Sequence, residues 1–285
     1  MGKKKLEKRN IELVVLSDIH LGAYGCQAIE LLNYLRSIQP ETVILNGDII
    51  DIWQFKKRYW PKSHMKIVKQ IISWITDGVT VYYITGNHDE MLRRFVGFKI
   101  NNFEIVNKTV LKLDGKKAWF FHGDVFDITM QHSKWLVKLG AVGYDLLILL
   151  NHLVNRISKL FGKGKISLSK RIKDSVKSAV KYINNFELTA AEIAIENNYD
   201  YVVCGHIHQP IIKEYNSNNG SVTYLNSGDW IENLTALEYH KKTWSIYKYK
   251  ESDFERELEE DESVEKTNKE IFNELLADFN LTIAK

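Results

Sequence analysis

Short apolar runs alternate with helix-like stripes through the first third of the chain. Residues 13–16, 42–45 and 81–84 are rich in Val, Ile, Leu and Tyr. Runs of this length and composition predict buried strands. Between them, residues 26–39 and 63–76 place apolar side chains three or four positions apart, which predicts two helices, the first of them closed by a proline. Strands that alternate with helices in this way predict an α/β fold.

The second part of the chain is predicted to add a hairpin, a long helical stretch and further strands. Residues 111–121 carry Asp114-Gly115 near their start, a pair typical of a two-residue hairpin turn. After His122 the pattern becomes helical for about 70 residues. The remaining predicted strands are residues 201–204, 211–215, 222–225, 234–239 and 244–249.

Five of the predicted strands lead directly into polar loops. These loops all contain Asp, Asn or His, and they read Asp18-Ile19-His20, Gly47-Asp48-Ile49-Ile50-Asp51, Gly86-Asn87-His88-Asp89, His122-Gly123-Asp124 and Gly205-His206-Ile207-His208. Each block alone is compatible with ordinary turn chemistry, because Gly, Asn and Asp suit turns. Together they favour a metallohydrolase, because ligands gather at the carboxyl ends of strands in α/β sheets.

The types of ligand narrow the choice of metal. Eleven residues of these blocks offer Asp oxygens, an Asn carbonyl oxygen or His nitrogens; seven of them are the candidate ligands, and no thiolate is among them. Such a mixed set favours Mn, Fe or Zn over Ca or Mg and excludes an iron–sulfur cluster. Seven ligands are too many for one tetrahedral ion, and they suit two divalent ions that share a bridging carboxylate. Two such ions can activate water and clamp both oxygens of a phosphoryl centre.

In combination, the five blocks resemble those of the calcineurin-like metallophosphoesterases, over residues 11–250. The resemblance implies a hydrolase built on two packed mixed β-sheets flanked by helices. It divides the seven ligands between two ions: Asp18, His20 and His208 for one, Asn87, His122 and His206 for the other, and Asp48 as the bridge.

The same resemblance implies roles for two residues that do not bind metal. His88 would stabilise the transition state or protonate the leaving group. Asp51, three residues after the bridging position, would orient that histidine.

Two further stretches are similar to the UDP-2,3-diacylglucosamine pyrophosphatases of the lipid A pathway. They read His122-Gly123-Asp124-Val125-Phe126-Asp127 and Asn226-Ser227-Gly228-Asp229-Trp230, and a long insertion separates the fourth and fifth blocks. Those enzymes cleave a nucleotide-linked lipid to UMP and a lipid monophosphate. Their best-known branch has Arg after the Asn of the third block, whereas this chain has His88, as in a second branch and in most other metallophosphoesterases. A soluble phosphodiesterase or phosphatase acting on nucleotides or phosphoproteins, and a non-catalytic scaffold, remain alternatives.

The insertion, residues 125–190, is predicted to form a helical lid. Its apolar stripe consists of Leu146, Leu149, Leu150, Leu153, Ile157, Leu160 and Phe161. Between Arg156 and Lys181 there are nine basic residues and one acid. Such a lid would meet an anionic membrane surface or an anionic substrate, whereas a plain helical hairpin would only solvate these charges. The candidate substrate-binding residues are Asp124, Lys173, Lys177 and Lys181.

Composition sets the remaining expectations. The chain has 285 residues, a net charge of +3 and only two cysteines, which are far apart and predict a reducing compartment without disulfides. No apolar run is long enough to span a membrane, and aromatic residues are not interleaved with the basic cluster, so no nucleic-acid partner is expected. We therefore expect a cytoplasmic protein, with peripheral contact at the inner face of the membrane. Residues 1–250 should form the metallophosphoesterase domain and residues 251–285 an acidic tail.

Overall fold

Two β-sheets lie face to face, and helices cover their outer faces. The computed structural model describes residues 8–52, 59–126 and 168–254, with side chains from residue 181 onward in the last range. The helices are α1 (Ala28–Ser37), α2 (Lys62–Thr76) and α3 (Leu168–Glu196), with short 3-10 helices at Glu90–Phe95 and Glu251–Asp253. The strands are β1 (Arg9–Leu16), β2 (Ile38–Asn46), β3 (Thr80–Ile84), β4 (Lys99–Ile100), β5 (Phe103–Val106), β6 (Lys108–Leu113), β7 (Lys116–Phe121), β8 (Tyr201–Cys204), β9 (Ile211–Ser217), β10 (Gly220–Asn226), β11 (Thr235–His240) and β12 (Thr243–Lys248).

The first sheet has the strand order β12-β11-β1-β2-β3-β5-β4. Strands β1, β2, β3 and β5 are parallel, whereas β11, β12 and β4 run antiparallel to their neighbours. Successive side chains of β1 alternate between two cores: Leu13 and Val15 face the second sheet, and Val14 and Leu16 pack beneath α1 and α2. Because both faces are buried, β1 is a continuous apolar run rather than an alternating one.

The second sheet has the strand order β6-β7-β8-β10-β9, with β7, β8 and β10 parallel. Ala118 and Phe120 of β7 lie in the core between the sheets, and Trp119 packs on the other face beneath α3. Phe126 and Phe186 are buried in that same outer core. The C-terminal half of α3 is therefore part of the core of the domain.

The strands predicted before the five polar blocks are confirmed, as are the first two helices and the hairpin. The hairpin turn has positive φ at Asp114 (49°) and Gly115 (86°), as a tight two-residue connection requires. The prediction that a proline closes the first helix is wrong, because Pro40 lies within β2 and pairs with Ile11 of β1. Strand β3 pairs with β2 only from Thr42 onward, so a residue without an N–H is tolerated at Pro40.

Two parts of the sequence prediction lie largely outside the described residues. These are the apolar stripe of the insertion, which falls within residues 127–167, and the acidic tail beyond residue 254. The sequence prediction also passed over the short strands β4 and β5, which extend the first sheet beyond β3. Among the residues that the structure describes, no helix is both long enough and apolar enough to cross a membrane.

Candidate metal centre

The loops that follow β1, β2, β3, β7 and β8 meet at one edge of the two sheets. Backbone hydrogen bonds join them: the Asp18 N–H donates to the Gly47 carbonyl (3.1 Å), and the Gly205 N–H donates to the His122 carbonyl (3.0 Å). The His206 N–H donates to Asp18 Oδ2 (3.1 Å), which links the second sheet to the first. The parallel strands of both sheets thus deliver their polar blocks to one place, as the sequence predicts.

Asp18, His20 and His208 form the first group of potential ligands. One ligand atom from each of the three residues lies within 4.8 Å of the others. Asp18 is fully buried, and His208 Nε2 lies 3.1 Å from Asp18 Oδ1. Burial alone would raise the pKa of Asp18, but the charges of His208 and His122 outweigh it and lower the pKa to about 2. The carboxylate therefore stays ionised and able to bind a cation.

Asp48, His122 and His206 form the second group, again with ligand atoms within 4.8 Å of one another. His122 Nε2 lies 3.3 Å from Asp48 Oδ2. The other ring nitrogen, Nδ1, lies 2.8 Å from the Asn46 carbonyl oxygen, which can only accept a hydrogen bond. This contact fixes the proton on Nδ1 and leaves Nε2 of the neutral imidazole available as a metal ligand.

The third loop is held against the second by Asp48 and Asp89. The His88 N–H donates to Asp48 Oδ1 (2.8 Å). Asp89, which is fully buried, accepts hydrogen bonds from the Gly86 N–H (2.6 Å), the Ile49 N–H (3.0 Å) and the Tyr83 hydroxyl (2.6 Å). Asn87 lies between these anchored residues, and its Oδ1 atom is buried.

Asp51 lies between two histidines. Its Oδ2 atom is 3.1 Å from His88 Nδ1 and 3.3 Å from His20 Nδ1. The imidazole rings of His20 and His88 meet edge to face, with centroids 4.5 Å apart. Burial lowers the pKa of His88, but the hydrogen bond with Asp51 and the charges of Asp48, Asp51 and Asp18 raise it above its ordinary value. The protonated form of His88 is thereby favoured, as a proton donor requires.

Four buried atoms test whether these residues fit a metal. Within the described ranges, His20 Nε2 and Asn87 Oδ1 have no hydrogen-bond partner, and Asp18 Oδ1 and His122 Nε2 each face only another residue of their own ligand group. A buried polar atom without a partner costs about 1–3 kcal/mol, so folded proteins rarely keep one without a reason. All four belong to residues that the sequence predicts as ligands. Their carboxylate, amide and imidazole donors are those that Mn, Fe and Zn accept, so the site fits such ions.

The backbone of the site is strained at several of the predicted ligands. Five of the predicted ligands have positive φ: Asp18 (52°), His20 (55°), Asp48 (54°), His206 (69°) and His208 (53°). Residues other than glycine adopt this conformation at a cost of about 1–3 kcal/mol each, and such residues cluster at functional sites. The fold therefore sacrifices backbone stability where it assembles these donors.

Two glycines allow the loops to approach closely. A Cβ atom added at Gly86 would lie 2.2 Å from Asp48 Oδ1, and one added at Gly205 would lie 2.8 Å from Asp18 Oδ2. Neither distance is possible without displacing a predicted ligand. The glycines of the third and fifth blocks are thus required by the site itself.

One residue that the sequence left without a role supports the first group. Asp229 is fully buried, and its Oδ1 accepts the backbone N–H groups of Ile231, Glu232 and Asn233. Its Oδ2 lies 3.7 Å from His208 Nδ1, on the side of the ring away from Asp18. The only sequence signal for it is its place in the stretch Asn226–Trp230 that follows β10.

Of the four predicted substrate-binding residues, the structure describes the side chains of Asp124 and Lys181. Asp124 lies beside the site, where its carboxylate pairs with Arg93. Lys181 is exposed on α3, and Lys173 and Lys177 lie on the part of α3 whose side chains are outside the description. The role of all four in substrate binding stays a prediction.

A sequence model of the calcineurin-like phosphoesterase family matches residues 11–210. Two similar proteins are called UDP-2,3-diacylglucosamine hydrolase. The one from Aliivibrio fischeri (strain MJ11) is 27% identical over 83% of this chain and 98% of its own length. The one from Blochmanniella pennsylvanica (strain BPEN) is 25% identical over 83% of this chain and 95% of its own length.

Among solved structures, an archaeal phosphodiesterase aligns with a TM-score of 0.39 at 14% identity, covering 83% of this chain and 98% of the other. A dimetal phosphatase from Danio rerio aligns with a TM-score of 0.38 at 10% identity, covering 83% of this chain and 95% of the other. The match to the family model covers well over half of the chain and confirms the predicted class of enzyme. This protein belongs to the calcineurin-like phosphoesterase family.

Proposed function

We propose that this phosphoesterase uses two divalent ions to hydrolyse the diphosphate of a nucleotide-linked lipid of the UDP-2,3-diacylglucosamine type, giving UMP and a lipid monophosphate. The observation that carries the proposal is the pair of ligand groups, Asp18/His20/His208 and Asp48/His122/His206, at the edge where both sheets end. The first group takes its three donors from two loops, and the second takes its three from three loops. A single structural ion would need only one of these two ligand groups.

Asp48 is the residue we propose as the bridge between the two ions. Burial would raise the pKa of its carboxyl, but His122 from its own group and His20 from the other group outweigh that effect and lower it. This influence of an imidazole from each group on the Asp48 carboxyl supports the bridging position. Asn87 would complete the second ion, because it is carried on the loop that Asp48 anchors through the His88 N–H.

Two ions bound here would supply Lewis acidity and an activated water for attack at phosphorus. The side chains of the protein supply the rest of the reaction. His88 would donate a proton to the leaving oxygen, and Asp51 would hold the ring so that Nε2 faces the substrate while Nδ1 faces the carboxylate. We propose manganese as the physiological metal, with iron and zinc as substitutes that the same donors accept.

The lipid substrate is supported by the names of the similar proteins and by charge on α3. Lys173, Lys177 and Lys181 recur at every fourth position of this helix, which places them along one face. Phe186, five residues after Lys181 and on the buried side of the helix, has its ring centroid 6.2 Å from that of His206. The basic residues therefore lie on the face of the helix opposite the metal centre, which suits contact with an anionic membrane carrying the lipid substrate, and the protein would act in the cytoplasm, at the inner face of that membrane.

The test is to incubate the manganese-loaded protein with UDP-2,3-diacylglucosamine and to identify the products by mass spectrometry. The expected products are UMP and the lipid monophosphate. Bis-p-nitrophenyl phosphate serves as the control substrate, because it needs the metal centre but no lipid contacts. Turnover of the control without turnover of the lipid would replace this proposal with a phosphodiesterase of small substrates. If the protein turned over neither substrate, the alternative of a non-catalytic scaffold would replace the proposal.

A further inference from the structure

Exposed apolar side chains are concentrated in one ten-residue segment. Twelve large apolar residues are exposed in the described part of the chain, and five of them fall within residues 91–100. These are Met91 (55% exposed), Phe95 (51%), Val96 (39%), Phe98 (51%) and Ile100 (56%). We call residues 91–100 the prong. Single exposed apolar residues are ordinary, but a cluster of this size marks an interaction surface.

The prong has a fixed backbone. Its first half is the 3-10 helix Glu90–Phe95, and the Phe98 N–H then donates to the Phe95 carbonyl (2.9 Å) to form a turn. Two further hydrogen bonds join it to β5: the Gly97 N–H donates to the Ile105 carbonyl (2.9 Å), and the Ile105 N–H donates to the Phe98 carbonyl (3.0 Å). The fold therefore holds these side chains in water rather than allowing them to turn inward.

The prong lies next to the metal centre. It begins two residues after Asp89, the residue that anchors the third loop. Arg93 within it pairs with Asp124 of the fourth block and lies 3.4 Å from the Gly86 carbonyl oxygen. Whatever the prong binds is consequently brought close to the site of hydrolysis.

Basic residues accompany the apolar ones. Residues 91–112 contain five basic residues and one acid, a net charge of +4 on a chain whose total is +3. Arg93 and Lys99 pair with Asp124 and Glu104. Arg94 is exposed, and so are Lys108, Val110 and Lys112 on the outer side of β6, the strand that follows β5 after a single residue.

We propose that the prong docks on an anionic lipid bilayer, with its apolar side chains in the interfacial layer and its own exposed Arg94 and Lys99 at the headgroups. Exposed Phe, Met and Ile flanked by Lys and Arg are the combination that binds such a surface through both apolar burial and charge. The proposal goes beyond the proposed function, since it assigns a membrane-facing surface whichever phosphate ester the site cleaves.

The experiment measures vesicle binding by co-sedimentation, with the full-length protein and without turnover. The test variant combines Phe95→Ser, Phe98→Ser and Ile100→Ser. The matched control combines Ile29→Ser, Met65→Ser and Ile72→Ser, which removes side chains that are 50%, 42% and 52% exposed on α1 and α2. The vesicles contain phosphatidylcholine alone or phosphatidylcholine with phosphatidylglycerol.

Wild type and the control variant should bind the anionic vesicles, and this binding should weaken in high salt. The prong variant should bind at least about tenfold more weakly, because it loses most of the apolar area that would leave water. Equal binding by all three proteins, or equal loss in both variants, would overturn the proposal. A prong variant that changes only the oligomeric state, seen by size-exclusion chromatography, would overturn it in favour of a contact between two copies.

Two controls keep the outcome interpretable. Thermal unfolding checks that the triple variant is folded, and the single variants Phe98→Ser and Ile100→Ser carry the test if it is not. Hydrolysis of bis-p-nitrophenyl phosphate should be unchanged in the prong variant. Because vesicle binding needs no catalysis, failure of this proposal would leave the proposed hydrolase function standing, and the reverse also holds.

Discussion

Replacing His88 with Ala should separate catalysis from metal binding. His88 is next to a predicted ligand, Asn87, but its Nδ1 faces Asp51 at 3.1 Å rather than either of the two proposed ligand groups. His20, Asp51 and His88 also have ligand atoms within 4.8 Å of one another, so the competing hypothesis is that His88 itself binds an ion. The two hypotheses predict opposite metal contents for the His88→Ala protein.

The size of the effect follows from the role of a proton donor. General acid catalysis contributes about 10²–10⁴-fold to a rate, which corresponds to about 3–5 kcal/mol of transition-state stabilisation. The side chain of His88 is 20% exposed and contacts the buried carboxylate of Asp51, so thermal unfolding of the variant distinguishes lost catalysis from lost stability. The rate loss should be smaller on a p-nitrophenyl ester than on the lipid diphosphate, because p-nitrophenolate leaves with little need of a proton.

The assay compares kcat for both substrates with metal content measured on the same samples. His240→Ala is the matched control, since His240 also lies beside a carboxylate, Glu12 at 3.5 Å, but at the middle of β1 and away from the metal centre. Added imidazole should restore part of the activity of His88→Ala. Loss of an ion from His88→Ala, or an unchanged rate on the lipid substrate, would refute the assigned role.

Three further predictions concern the support of the site. Asp229→Asn should weaken metal affinity by about 10–100-fold, because an amide donor in place of Oδ2 disfavours the His208 tautomer that binds metal. A calorimetric scan should show that the fold is intact. Unaltered metal affinity would mean that Asp229 only caps its own loop. In the metal-free protein, burial lowers the pKa of His208 but the carboxylates of Asp18 and Asp229 raise it to about 9. The charge of His208 therefore stabilises the fold fully below the unfolded pKa of about 6.5, and this stabilisation is lost as the pH rises through about 9. The difference in Tm between the wild type and His208→Gln should shrink over that interval. A constant difference in Tm would contradict this prediction. Gly205→Ala should cost about 1–3 kcal/mol in urea denaturation and weaken metal binding, since the added Cβ would lie 2.7 Å from Ser17 Cβ, and a neutral result would mean that the loops shift freely.

The sequence was sufficient for the parts of the fold that depend on local pattern. Strands β1, β2 and β3 are consecutive in the sheet and largely buried on both faces, so they stand out as continuous apolar runs. The polar blocks follow these runs directly, and parallel strands must end at one edge of a sheet. That topology makes the convergence of the loops carrying Asp18, Asp48 and Asn87 predictable without coordinates.

Other parts depend on contacts between residues far apart in the chain. Asp229 acts on His208 only because β10 lies beside β8, and no local pattern announces that pairing. The same holds for Asp124, whose partner Arg93 comes from a different loop. Pro40 is predicted to end a helix because proline is rare inside strands. The structure accommodates it in β2, since β3 pairs with β2 only from Thr42 onward, and the sequence does not reveal this.

The exposure of the prong is a further feature that the sequence does not predict. Its apolar residues, such as Phe98 and Ile100, would be counted as core by composition alone, and only the edge position of β4 reveals that they are exposed. Burial is a property of the assembled sheets rather than of the segment.

The most direct test of the central claim is the metal content of the Asp48→Ala protein, measured by inductively coupled plasma mass spectrometry after manganese loading and desalting. The wild type should contain two ions per chain. Asp48→Ala should contain neither at full occupancy, because a carboxylate shared by both ions leaves each of them one ligand short when it is removed, and its activity should fall to background. Two fully occupied ions in Asp48→Ala would contradict the bridged two-metal centre on which this account rests.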